Sequence, residues 1–71
     1  MSNYRTQEQF DEIIESITNG NWRQGASEAI EYGFYANDLL NAYDASDWSD
    51  DIETLRDLVE LTELMTQQRS Q

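Results

Sequence analysis

These 71 residues contain no lysine, histidine, cysteine or proline, and glycine occurs three times. Without cysteine, neither a disulfide nor a thiolate metal site can reinforce a small fold. With histidine and lysine also missing, catalysis would have to use carboxylates, tyrosines, serines and threonines. No carboxylate pair stands out among the fifteen acids, so an enzyme is not expected and no cofactor is implied. No apolar run approaches the ~18 residues that a membrane span needs. The opening Met1-Ser2-Asn3-Tyr4-Arg5 has neither the basic stretch nor the apolar segment of a signal peptide, and a cytoplasmic protein is expected.

Basic residues are scarce as well. Four Arg oppose fifteen Asp and Glu, a net charge of −11 on 8.3 kDa. Such a surface repels nucleic-acid backbones and anionic membranes, so direct partners of either kind are excluded and a positively charged one is favoured. Long acidic chains are often disordered, but those are poor in aromatic and β-branched residues. Two Trp, two Phe and four Tyr argue instead for a folded chain. One domain over 1–71 is expected, burying about 60 % of its extended-chain surface.

The apolar spacing is helical throughout. Thr6-Gln7-Glu8-Gln9 reads as a capping box, and Phe10, Ile13, Ile14 and Ile17 follow at i, i+3, i+4, i+7. Asn19-Gly20 supplies a left-handed stop, giving a helix over 7–18. Asn21 can cap a second helix over 22–32, with Trp22, Ala26, Ala29 and Ile30 on its buried line and Tyr32-Gly33 closing it. Gly25 costs that helix about 1 kcal/mol of propensity but permits a close neighbour. Phe34 is expected to insert into the core at the turn. Ala36, Leu39, Leu40 and Tyr43 mark a third helix over 35–43. The loop Asp44-Ala45-Ser46-Asp47-Trp48-Ser49-Asp50 offers several caps for a fourth helix over 50–67. That helix carries Ile52, Leu55, Leu58, Val59, Leu61 and Met65, with Leu64 on its acidic side. The last four residues are expected to fray. An all-α, compact antiparallel bundle of three to four helices is the expected architecture.

The acids fall opposite these apolar lines. Glu8, Asp11, Glu12 and Glu15 form one row on the first helix. Asp50, Asp51, Glu53, Asp57, Glu60 and Glu63 form another on the fourth, with Asp44 and Asp47 between them. At ~1.5 Å per residue, Glu53 to Glu63 spans ~15 Å, about one carboxylate per 5 Å. A single DNA strand carries a phosphate every ~3.4 Å of axis, a spacing of the same order. Like charges one turn apart cost ~0.2–0.5 kcal/mol per pair, and no Lys interrupts them. A solvated bundle face or adaptation to high salt would also place acids here. Trp48, among Asp47, Asp50 and Asp51, is a core residue or an interface anchor.

Other motifs fail on inspection. In a calcium loop counted from Asp44, the sixth position is Ser49 instead of Gly and the twelfth is Leu55 instead of Glu; counting from Asp47 gives Ile52 and Leu58. A helix-turn-helix across Gly33 would read DNA with Asn37, Asp38 and Asn41 and no basic residue. Acyl carrier proteins need a serine where Asp38-Leu39-Leu40 has none.

Size, absent cysteine, helical build and acidic faces together resemble the small anti-defence proteins of bacteriophages and mobile elements. That class includes antirestriction and anti-CRISPR proteins, some of them DNA mimics. Tyr4-Arg5-Thr6-Gln7-Glu8-Gln9-Phe10, continuing to Ile14, is also similar to the start of the first helix in colicin nuclease immunity proteins, whose Tyr-Tyr-Pro motif is missing here. Both resemblances imply a noncatalytic inhibitor, monomer or homodimer, that covers a basic nucleic-acid-binding protein or nuclease complex. Glu8, Asp11, Glu12, Glu15, Asp44, Asp47, Trp48, Asp50, Asp51, Glu53, Asp57, Glu60 and Glu63 are the candidate contact residues. The alternative is an adaptor or antitoxin-like module that binds through an apolar or aromatic patch.

Overall fold

A computed structural model of the chain describes residues 5–70; Tyr4 of the N-terminal likeness and the terminal Gln71 lie outside them. Four helices follow in order, α1 (Gln7–Thr18), α2 (Trp22–Glu31), α3 (Ala36–Asp44) and α4 (Ile52–Arg69), and they pack as an all-α bundle.

Local chemistry sets each boundary. At the head of α1, Thr6 Oγ1 accepts from the Gln9 amide at 3.2 Å and Gln9 Oε1 accepts from the Thr6 amide at 3.0 Å. This is the expected reciprocal cap. The helix ends on Gly20 at φ +84°, where the Asn21 amide donates to the Ser16 carbonyl and Gly20 to Ile17. The same double bond closes α2, with Gly33 at φ +86°, Phe34 donating to Ala29 and Gly33 to Ile30. Both are Schellman stops, which need a residue free to enter the left-handed region. Asn21 stands at the cap of α2 but makes no side-chain capping bond. Asp38 accepts from the Tyr35 amide at 2.9 Å at the start of α3. Asp51 caps α4, its carboxylate accepting from the Glu53 amide at 3.0 Å and the Thr54 hydroxyl at 3.0 Å. A helix cannot include its own cap, so α4 begins at Ile52, two residues later than its acidic lead-in suggests.

Phe10, Ile13, Ile14 and Ile17 of α1 meet Ala26 and Ala29 of α2, Leu39 and Tyr43 of α3, and Leu58, Leu61 and Met65 of α4. Phe34 inserts from the turn, 1 % exposed. Each fully buried large side chain contributes ~1.5–3 kcal/mol. The α1–α2 contact is close because Gly25 has no side chain; a Cβ there would stand 2.7 Å from Ile17 Cγ2. Buried Ser16 adds a hydrogen bond to Glu28 at 2.7 Å across the same contact.

Four departures from the sequence pattern matter for function. Ile52 is 72 % and Val59 48 % exposed, so the buried arc of α4 narrows to Leu58, Leu61 and Met65 with Leu55 beside it. Leu40 at 38 % exposure and Ala36 also face outward, because nine residues of α3 bury only Leu39 and Tyr43. Leu64 packs half-buried against the core instead of standing in solvent. Finally, Gln68 and Arg69 are helical, not frayed. Arg69 donates to the Phe34 carbonyl at 2.6 Å, and its guanidinium lies 4.1 Å from the centre of the Tyr35 ring.

Candidate functional site

Glu8, Asp11, Glu12 and Glu15 all stand exposed on the outer face of α1. The apolar residues that turn this face outward are those that seat the helix, so the row is fixed by the core. Glu8, Asp11 and Glu15 accept no hydrogen bond and form no ion pair among the described residues. Glu12 differs: it accepts from Tyr32 Oη at 2.6 Å. That bond, with burial and the nearby carboxylates of Glu12, Glu28 and Glu31, pushes the Tyr32 phenol up to about 12. The α1 row therefore continues onto α2 through Glu28 and Glu31. Sequence reading missed both as candidates, because the apolar line of α2 is short and no row of acids marks its outer face.

The interhelix loop adds a second cluster. Tyr43 Oη donates to the Asp51 carbonyl at 2.9 Å. Its phenol is pushed up by burial first, then by Asp51, Asp50 and Asp44. These three candidates are thus brought together at the junction of α3 and α4, with Asp47 and Glu53 exposed nearby in the chain.

Trp48 links the two clusters. Its ring meets Phe10 edge to face at 6.1 Å between centroids, which makes it a packing residue. Together with Asp11, Ile14, Glu15, Thr18 and Asn19 it also lines a shallow hollow of about 360 Å³. An indole flanked by Asp11 and Glu15 offers both an apolar surface and negative charge to an incoming cation.

The far acids of α4 line a different hollow. Glu60 and Glu63 border a hollow with Trp22, Leu64 and Gln67 at the start of α2, and Asp57 is half-buried. The predicted α4 row is thus divided between two places: Asp50 and Asp51 stand with the loop cluster around Tyr43, and Glu60 and Glu63 stand at the start of α2.

Compensating charge is sparse. Arg5 pairs with Asp38 at 3.4 Å and Arg69 is engaged at the α2–α3 turn. Arg23 stands beside Trp22 at the start of α2. Among the described residues no three His, Cys, Asp or Glu converge to hold a metal, and no helix is long and apolar enough to cross a membrane.

No protein-family model, curated protein or solved structure matches the chain.

Proposed function

We propose that this protein is a noncatalytic inhibitor that covers the basic surface of a nucleic-acid-processing protein, in the manner of antirestriction or anti-CRISPR DNA mimics. The observation that carries this reading is the row Glu8, Asp11 and Glu15 on α1, which has no hydrogen-bond or ion-pair partner among the described residues and shares a hollow with Trp48, whose loop also carries Asp44, Asp50 and Asp51. A carboxylate bonded within its own protein has already satisfied part of its charge. Unpartnered carboxylates on a rigid helix remain available to guanidinium and ammonium groups, which pair with them as they do with phosphate. Helices also fix the spacing, so ordering the row costs little entropy on binding.

A second reading is favoured by one observation: Tyr35, Leu40, Ile52 and Val59 are exposed apolar side chains on or beside α3 and α4. An adaptor or antitoxin-like module would bind through them.

The two readings separate in a capture experiment from cell lysate, with and without excess duplex DNA. Inhibition by mimicry predicts that nucleic-acid-binding proteins are captured and that DNA displaces them. Capture that ignores DNA, and survives Glu8→Gln with Asp11→Asn and Glu15→Gln, rejects it in favour of the adaptor.

A further inference from the structure

Leu40, Val59 and Ile52 are exposed apolar side chains on helices that flank one hollow. Tyr43 Oη bonds to the Asp51 carbonyl, which places the end of α3 beside the start of α4. Tyr35, Ala36 and Asn37 line a hollow of about 370 Å³ with Thr62, Met65, Thr66 and Arg69, which places the start of α3 beside the end of α4. The two helices thus run antiparallel. Leu40 follows Ala36 by one turn, and Val59 precedes Thr62 and Thr66 on the same side of α4. By helix register the two side chains fall beyond the end of that hollow, on the line toward Ile52, which sits two turns, ~10 Å, before Val59.

Charge is uneven along this line. Asp44, Asp50 and Asp51 cluster around Tyr43 at the Ile52 end, followed by Glu53. Arg69 stands at the Tyr35 end, and Arg56 borders the middle, one turn from both Ile52 and Val59.

We propose that this line, with the hollow at its head, forms a groove that receives an amphipathic helix of the partner protein, its apolar stripe against Leu40, Val59 and Ile52 and its Lys and Arg gathered at the Asp44–Asp51 end. The inference rests on the reading above that the partner is cationic. Charge complementarity selects the occupant: an apolar floor with an acidic end fits a basic amphipathic helix, the recurring helix-in-groove mode. A second copy would bring another −11 of charge against this one.

The probe is a synthetic helical peptide of about 18 residues with Leu at i, i+3, i+4 and i+7 and Lys at one end, beside a scrambled peptide of identical composition. Binding is followed by amide chemical shifts. The ordered peptide should shift α3 and α4 amides and bind about tenfold more tightly than the scrambled one. Ile52→Ser with Val59→Ser, both at exposed positions, should erase that preference, whereas Ser27→Ala, at an exposed position of α2, should preserve it. Equal binding of the two peptides, or a preference unaffected by the serine variants, overturns the proposal. So does a doubling of molecular mass with concentration that Val59→Ser abolishes, which would make the occupant a second copy. Failure of DNA to displace the captured lysate proteins would reject the mimic reading and leave the groove standing.

Discussion

Individual residues define how tightly this fold is set, and Gly25 is the most sensitive of them. An alanine there would gain about 1 kcal/mol of helix propensity. Its Cβ, however, would meet Ile17 Cγ2 at 2.7 Å, and that methyl sits on a β-branched side chain buried in the core. Overpacking of this kind costs ~1–3 kcal/mol, so Gly25→Ala should lower the urea midpoint despite the better helix former. A raised midpoint would show that α1 and α2 can separate freely. Tyr32 supplies a titration. Its phenol, held protonated by Glu12, should ionise near pH 12, and Glu12→Gln should bring absorbance-monitored ionisation back toward 10. The sign for stability follows. Below pH 10 the folded and unfolded chains both keep the proton and the bond contributes fully. Between 10 and 12 only the unfolded chain loses it, so this contribution falls as pH rises. A Tyr32 titration unaltered by Glu12→Gln would remove the link between the α1 row and α2.

At the scale of elements, capping chemistry does most of the work of placing helix ends. Thr6, Gly20 and Gly33 could be read directly from sequence because each carries a local requirement: a side-chain acceptor or a left-handed backbone. Asp51 could not be singled out, since Asp44, Asp47 and Asp50 offer the same chemistry within one loop. The structure chooses Asp51 because Tyr43 holds its carbonyl. Asp51→Ala should cost ~1 kcal/mol, and amide exchange should quicken first at Glu53 and Thr54. The exposure of Ile52, Val59 and Leu40 was not legible for a different reason. Periodicity marks an apolar face but not how wide a neighbour covers it, and α3 is too short to cover α4 along its length. Likewise, Glu28 and Glu31 join the candidate surface only through a contact between helices, Tyr32 with Glu12, that no spacing within either helix encodes. The tail held by Arg69 is a third such case, since its partner carbonyl belongs to Phe34, 35 residues earlier.

Over the whole molecule, charge and stability pull in opposite directions. Glu8–Glu12, Asp11–Glu15 and Glu53–Asp57 are like-charge pairs one turn apart, each costing ~0.2–0.5 kcal/mol. Glu8 is held in the first turn by the helix dipole, so the test of repulsion is Asp11→Asn with Glu15→Gln, which should stabilise the fold at low salt by about 0.5 kcal/mol, an advantage that shrinks as salt screens the repulsion. If those side chains existed for the fold, the same variant would unfold more easily. The expected pattern is a protein that is more stable and binds less well, which is what selection for binding charge would leave behind. The measurement closest to this claim is the affinity of the captured target across ionic strength, for the native chain and the triple variant Glu8→Gln with Asp11→Asn and Glu15→Gln. A carboxylate array standing in for phosphates predicts a loss of at least about tenfold between roughly 50 and 200 mM salt, and a markedly shallower dependence for the variant. Affinity that stays level with salt, and equal for both chains, would contradict it.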